Sequence, residues 1–298
     1  MDTNTLQAFL AVAESGSFSK AADHLFLTQS AVSKRVALLE EQLGSKLFDR
    51  IGRSISMTEA GSALLPRARD ILLQLDDAKR AINNLSGGDI TGTLSLAASH
   101  HISLHRLPGF LRQFSEECPQ VELDLRFEES EVAYEGVLKG DLELALITLS
   151  PEPDPNIHSE IIWDDLLMYV VAEDHPLANK HEVELAELTD FNAILPGSNT
   201  FTRSLVEQLF DNHELNLNVT MSTNYLDTIR MMVSIGLGWS LLPESLIGKG
   251  LKVLNVVDSE PVHRNLGIIF HRNRTLSNAA AYLVDILKYA GKDDVTKR

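Results

Sequence analysis

The chain is short of cysteine, of long apolar runs and of basic charge, and each shortage removes a class of protein. A single cysteine, Cys118, leaves no partner for an internal disulfide. A thiol switch normally needs a resolving partner, so Cys118 reads as structural. No apolar run approaches the roughly 18 residues of a membrane span, and the N-terminus lacks a charged-then-apolar signal pattern. The chain is therefore expected to be cytoplasmic, with no membrane partner. Gly236-Leu237-Gly238 has no third glycine at dinucleotide spacing and runs into a strand, so no nucleotide cofactor is expected. His100, His101 and His105 fit neither a Cys/His zinc site nor an HExxH helix, and no G-x-S-x-G elbow is present. Catalytic residues, metal and cofactor are all expected to be absent.

The basic deficit is large: 26 Lys/Arg against 42 Asp/Glu give a formal charge of −16. On its own that opposes nucleic-acid binding by a basic domain. The distribution softens the conflict. Residues 1–66 hold six Lys/Arg and seven Asp/Glu, leaving 20 and 35 to the remainder. The head is near neutral and the body strongly acidic, which repels stray DNA while Lys34, Arg50 and Arg53, with Lys46 as an addition, leave a local footprint.

What is present is concentrated in residues 17–53. After Thr28, apolar residues at Val32, Val36, Leu39 and Leu43 keep helical spacing and define one buried face. Ser30, Ser33, Lys34 and Ala37 are left outside. Thr28 can cap this helix, and Ser17 a shorter one containing Ala21, Ala22 and Leu25. The short turn between them has helix-turn-helix geometry, and a first helix with Leu6, Phe9, Leu10 and Ala13 completes a small core. A helix whose free face is small and polar fits a major groove about 12 Å wide. Gln29 can pair with adenine, Lys34 with guanine or a phosphate, and Ser30 and Ser33 with bases or backbone. Ser17 and Thr28 join them as DNA-contacting residues. Residues 47–55 alternate around Gly52 like a small wing, whose Arg50 and Arg53 would flank the minor groove or phosphates. The plainer alternative is a structural αα-hairpin.

Leu64, Ala68, Ile71, Leu75, Ala78, Ile82 and Leu85 alternate spacings of four and three, the seam of a coiled coil. Thr58 caps its start and Ser86-Gly87-Gly88 stops it, giving about 28 residues and roughly 42 Å. Self-pairing through this seam competes with a helix lying on its own domain. From Thr91 onward strands and helices alternate, the grammar of an α/β body. Strands are expected at TLSLAAS, 121–127, 142–148, 166–172, 191–196, 218–223, 239–243, 251–257 and 266–272, with one helix near 103–117.

In open α/β sheets ligands sit beyond the carboxyl ends of strands. Ser99 and His100 follow one strand and Thr148 ends another. Asn199, Thr200 and Phe201 lead into a helix whose free N–H groups form a cradle for a carboxylate or similar oxyanion. For each, an ordinary helix cap is the alternative.

The head resembles the winged helix-turn-helix of LysR-type transcriptional regulators. The resemblance is carried by the AESGSFSKAA turn, Thr28-Gln29-Ser30-Ala31-Val32-Ser33, Leu47-Phe48-Asp49-Arg50 and Thr58-Glu59-Ala60-Gly61. Ser30 stands where the family most often has proline and Lys34 where it most often has arginine, which bears on sequence preference because lysine is a point charge rather than a fork. MVSIGLGWSLLPESL carries the resemblance in the body. It implies an α/β, two-lobed effector domain of periplasmic-binding-protein type II. The domains would be 1–58 for the DNA-binding head, 59–90 for the linker helix and hinge, and 91–298 for the effector domain. Lobe I would hold about 91–163 and 267–298, lobe II about 164–266. Ser99, His100, Thr148, Asn199, Thr200 and Phe201 would meet a small-molecule, anionic effector in the cleft. His100-His101 departs from the family's small or hydroxyl residues, and either recognises an acidic or pH-dependent ligand or lies on the surface. The implied partners are double-stranded DNA with an interrupted palindromic operator, a second copy through the linker helix, and a tetramer of such dimers, with RNA polymerase a further candidate. The rival function is a small-molecule binding protein without a DNA role.

Overall fold

A computed structural model describes residues 1–51, 54–85 and 90–295, leaving the side chains of 50, 51, 54 and 290–295 outside the description. The chain divides into two units, Met1–Ser86 and Gly87–Arg298.

In the first unit, α1 (Thr3–Ser15), α2 (Phe18–His24) and α3 (Gln29–Leu43) surround a core of Leu6, Phe9, Ala21, Val32, Val36 and Leu39. Each helix start is capped by a side-chain oxygen: Asp2, Ser17 and Thr28 accept from the N–H groups of Thr5, Lys20 and Ala31. Leu43, expected on the buried face of α3, is 42% exposed, because the helix ends there at Gly44 with φ of 66°. A hairpin of β1 (Phe48–Ile51) and β2 (Ser54–Met57) follows, in the register Phe48↔Met57 and Arg50↔Ile55. Phe48 closes the core against Phe9 and Phe18, at ring separations of 5.4 and 5.9 Å.

The long helix α4 (Glu59–Asn84) is capped by Thr58, whose hydroxyl accepts from Gly61 and donates to the Lys46 carbonyl. Its apolar seam is covered only in part. Ala68 is buried, and Leu64 and Leu72 pack on the head, where Arg69 also pairs with Glu14 of α1 at 2.8 Å. Beyond them Ile71 and Leu75 are each 39% exposed, Ile82 66% and Leu85 84%. The expected stop at Ser86-Gly87-Gly88 lies outside the described residues.

The second unit is built on a seven-stranded mixed sheet. β3 (Gly92–Ala98) pairs in parallel with β4 (Val121–Phe127) and β5 (Leu144–Thr148). Of two long strands, β11 (Val262–His271) pairs antiparallel with β5, and β6 (Ile157–Ala172) pairs antiparallel with the other edge of β11. The far end of β6 carries β9 (Ser240–Pro243) and β10 (Leu251–Val253). A separate parallel pair is made by β7 (Ala193–Leu195) and β8 (Val219–Ser222).

Helices cover both faces at both ends. At the first end, Leu94, Leu96, Leu144, Leu146 and Ile268 pack with Phe114 of α6 (Pro108–Glu117) and Leu283 of α10 (Asn278–Val295). The opposite face packs Ala97, Ile147 and Ile269 against Tyr134 and Val137 of α7 (Ser130–Lys139). At the second end, Tyr169, Val171 and Trp239 pack with Phe210 of α8 (Phe201–Asn212) on one face. The other face sets Val170, Ile194 and Leu242 against Ile229 and Val233 of α9 (Leu226–Ser234). Two α/β cores result, with β6 and β11 passing from one into the other. The β6–β11 ladder shifts register between Leu266 and Gly267, where a Cβ on Gly267 would lie 2.1 Å from the Glu160 carbonyl oxygen.

Several boundaries differ from the sequence expectations. The helix near 103–117 is two, α5 (His100–His105) and α6, because Pro108 begins a new helix at the position where its missing N–H is unneeded. β6 begins nine residues before 166 and β11 four before 266, since long paired ladders tolerate the polar residues that disguise them.

Candidate functional site

On α3, Val32 and Val36 are buried while Gln29, Ser30 and Lys34 are exposed and Ser33 is half-buried. Two candidate contacts are already committed within the head. The Thr28 hydroxyl accepts from Ala31 at 3.2 Å and lies 3.0 Å from the Ser30 hydroxyl. Ser17 is half-buried and caps α2. Arg53 and the Arg50 side chain lie outside the described residues. Lys46 does not stand free: its ammonium meets Glu40 at 2.7 Å. Glu40 also accepts from the N–H groups of Leu47 and Phe48, tying the hairpin to α3. Partial burial works against that carboxylate, but the Lys46 bond and the two N–H groups hold its pKa below the usual range.

In the second unit, a cavity of about 360 Å³ lies between the two cores. The first core contributes Ser99 and His100 after β3, Glu128 to Glu131 after β4, and Thr148 at the end of β5. The second core contributes Thr200 at the start of α8 and Asn224 and Tyr225 before α9. Arg264, on the crossing strand β11, lies on the lining as well. Ser99 and Thr148 are buried; the Ser99 hydroxyl makes no capping bond and the Thr148 N–H donates to Ser130 at 3.1 Å.

The oxyanion cradle expected at the α8 start is already filled. The Phe201 N–H donates to Glu131 Oε1 at 2.6 Å, and Thr200 accepts from Arg203 while donating to the Gly197 carbonyl. Burial raises the pKa of Glu131, although the Phe201 bond opposes the shift. Beside it Asn224 accepts from Gly197 and donates to Glu129 at 2.6 Å. The two cores are thus laced across the cavity by carboxylates of α7 and its N-terminal flank. Neither Asn199 nor Phe201 lines the cavity. Asn199 is exposed, its side chain folded toward Gly197, and the Phe201 ring packs edge-on against Tyr134 at 5.7 Å.

Behind the lining is a buried charged cluster. Arg264 pairs with Asp165, both 4% exposed, and Arg106 approaches the same carboxylate at 3.5 Å. His101 lies 3.8 Å from Asp165, and neither of its ring nitrogens has a hydrogen-bond partner. Burial, reinforced by the Arg264 charge, depresses its pKa to about 3, so it is neutral at physiological pH. His100 is exposed and packs edge-on against Tyr225 at 5.1 Å. Sequence reasoning missed the acidic stretch 128–131, although it follows a strand end just as Ser99 does. It also missed Asn224, Tyr225 and Arg264, which only the fold brings to the cavity. Among the described residues no cluster of three or more His, Cys, Asp or Glu is placed to hold a metal, and no helix is long and apolar enough to cross a membrane.

Comparison with known proteins finds two family matches. Residues 3–62 match the bacterial regulatory helix-turn-helix protein of the lysR family, and residues 87–292 match the LysR substrate binding domain. The HTH-type transcriptional activator CmpR of Synechocystis sp. is 31% identical over 287 residues, 94% of this chain and 93% of CmpR. An HTH-type transcriptional regulator from an ibpB-leuC intergenic region of Azotobacter vinelandii is 63% identical over 108 residues, 36% of this chain and 74% of that protein. A full-length OxyR of Pseudomonas aeruginosa shares the fold with a TM-score of 0.70 at 22% identity, over 97% of this chain and 98% of that one.

Proposed function

The chain belongs to the LysR-type transcriptional regulators, and we propose that a small effector with an anionic group, bound between its two α/β cores, changes how paired heads sit on DNA. It is a DNA-binding regulator and not an enzyme, as its relatives are. The cleft reading is carried by one observation: the 360 Å³ cavity draws its lining from strand ends of one core and helix starts of the other, so an occupant touches both at once. Such an occupant has different contacts in open and closed arrangements, which is the condition for shifting an equilibrium. Because Glu131 already holds the first N–H of α8, the anionic group is assigned to the Ser99 and Thr148 side. Heads pair through the outer half of the α4 seam, and the operator is an interrupted palindrome.

The test is capture of fragmented genomic DNA by the purified protein, with and without a metabolite extract of the source cells. An Arg50→Ala, Arg53→Ala double variant and a Ser99→Ala, Thr200→Ala double variant are run beside it. An interrupted palindrome is expected, lost in the first variant. Its capture should respond to extract in the wild type and stay unresponsive in the second variant. A response unchanged in the Ser99, Thr200 variant would remove the effector from the cleft.

A further inference from the structure

The ionisable groups of the cleft are unevenly divided. Glu128, Glu129 and Glu131 contribute three carboxylates from one short stretch. Among the described residues, the guanidinium on the lining is that of Arg264, and it is spent on buried Asp165. The bonds that Glu129 and Glu131 accept come from the neutral Asn224 amide and the Phe201 N–H, so their charge is not cancelled. Glu128 is half-buried beside them. Two aromatic rings on the same lining, Phe127 and Tyr225, are 62% and 56% exposed. Unburied aromatic faces beside carboxylates are the surroundings that hold an ammonium group. Deeper on the lining, His101 is 9% exposed and has no hydrogen-bond partner at either ring nitrogen, though a neutral imidazole has one N–H to donate and one lone pair to accept with.

We propose that the effector is a zwitterion of amino-acid type, its ammonium held by Glu128 to Glu131 with Phe127 and Tyr225, and its carboxylate directed to the Ser99 and Thr148 side. This rests on the reading of the cleft as the effector site and adds the charge of the molecule that fills it. A carboxylate alone would enter a cavity lined by three like charges; an ammonium on the same molecule turns that field from repulsion to attraction.

The test uses the full-length protein in thermal-shift and calorimetric titrations with the twenty standard amino acids. Each is run beside its deaminated acid and its decarboxylated amine. At least one amino acid should raise the melting temperature and bind about ten-fold more tightly than either counterpart. Glu128→Gln should weaken it about ten-fold, and Ser99→Trp should abolish it. A deaminated acid binding as tightly as its amino acid would overturn the zwitterion and leave the cleft standing. So would a silent panel alongside an extract that shifts the wild type and not Ser99→Trp. An amino acid binding Ser99→Trp as well as the wild type would overturn the cleft reading itself, and silence of panel and extract together would overturn both.

Discussion

Arg264 and Asp165 face each other as cross-strand partners on β11 and β6, forming a buried ion pair where those strands pass from one core into the other. Removing one partner strands the other charge in a low-dielectric site. Asp165→Asn should therefore destabilise the second unit by about 3–5 kcal/mol, whereas replacing both residues with apolar side chains of similar volume should cost far less. Urea unfolding of the single and double variants measures the difference.

His101 gives this cluster a pH dependence of known sign. The folded protein protonates the ring only near pH 3, while the unfolded chain does so near the ordinary 6.5. As pH falls through that window the unfolded state binds more protons, and stability drops by up to about 1.4 kcal/mol per pH unit from this residue. The groups around it are Asp165, Arg264, Arg106 and His105. His101→Leu should flatten the stability profile between pH 6.5 and 4 by close to one proton, and the wild-type ring should remain neutral by NMR at pH 5.

Gln29 is exposed in the first turn of α3, the position from which an amide can reach an adenine edge. Gln29→Ala should weaken the captured operator by about 1–3 kcal/mol while leaving the slope of affinity against salt unchanged. A lowered slope would instead make Gln29 a phosphate contact. Binding titrations at three salt concentrations separate the outcomes.

The outer half of α4 exposes Leu75 and Ile82. Replacing both with Asp should leave the stability of the head within about 0.5 kcal/mol, since neither is buried in one chain. The same change should dissociate paired chains and lower operator affinity by at least about 100-fold through lost bivalency. Sedimentation and DNA titration of the double variant check the two halves of the expectation.

The head was legible because its signals are local. Caps at Ser17 and Thr28 and the period of Val32, Val36 and Leu39 all act within a few residues. Strands β3 and β5 were legible as apolar runs buried on both faces. The first half of β6 was not, because Ile157–Asp165 mixes Ser159, Glu160 and Asp164 among its apolar residues while serving two cores. The cleft divides the same way. Ser99, Thr148 and Thr200 could be found by the rule of strand and helix ends, but Arg264 lies mid-strand and reaches the lining only through the β6–β11 ladder. The filled cradle at α8 was beyond reach, since Glu131 and Phe201 are 70 residues apart.

The ladder between β6 and β11 has a mechanical side. Ten register pairs join the two strands, and the one slip, at Leu266 and Gly267, brings backbone so close to Glu160 that no side chain fits. The slip lies inside the first core, where Leu266 and Ile268 both pack, while the passage between the cores runs through the unbroken pairs around Arg264 and Asp165. Any change in the angle between the cores therefore has to twist a paired ladder, a stiffer joint than two single strands.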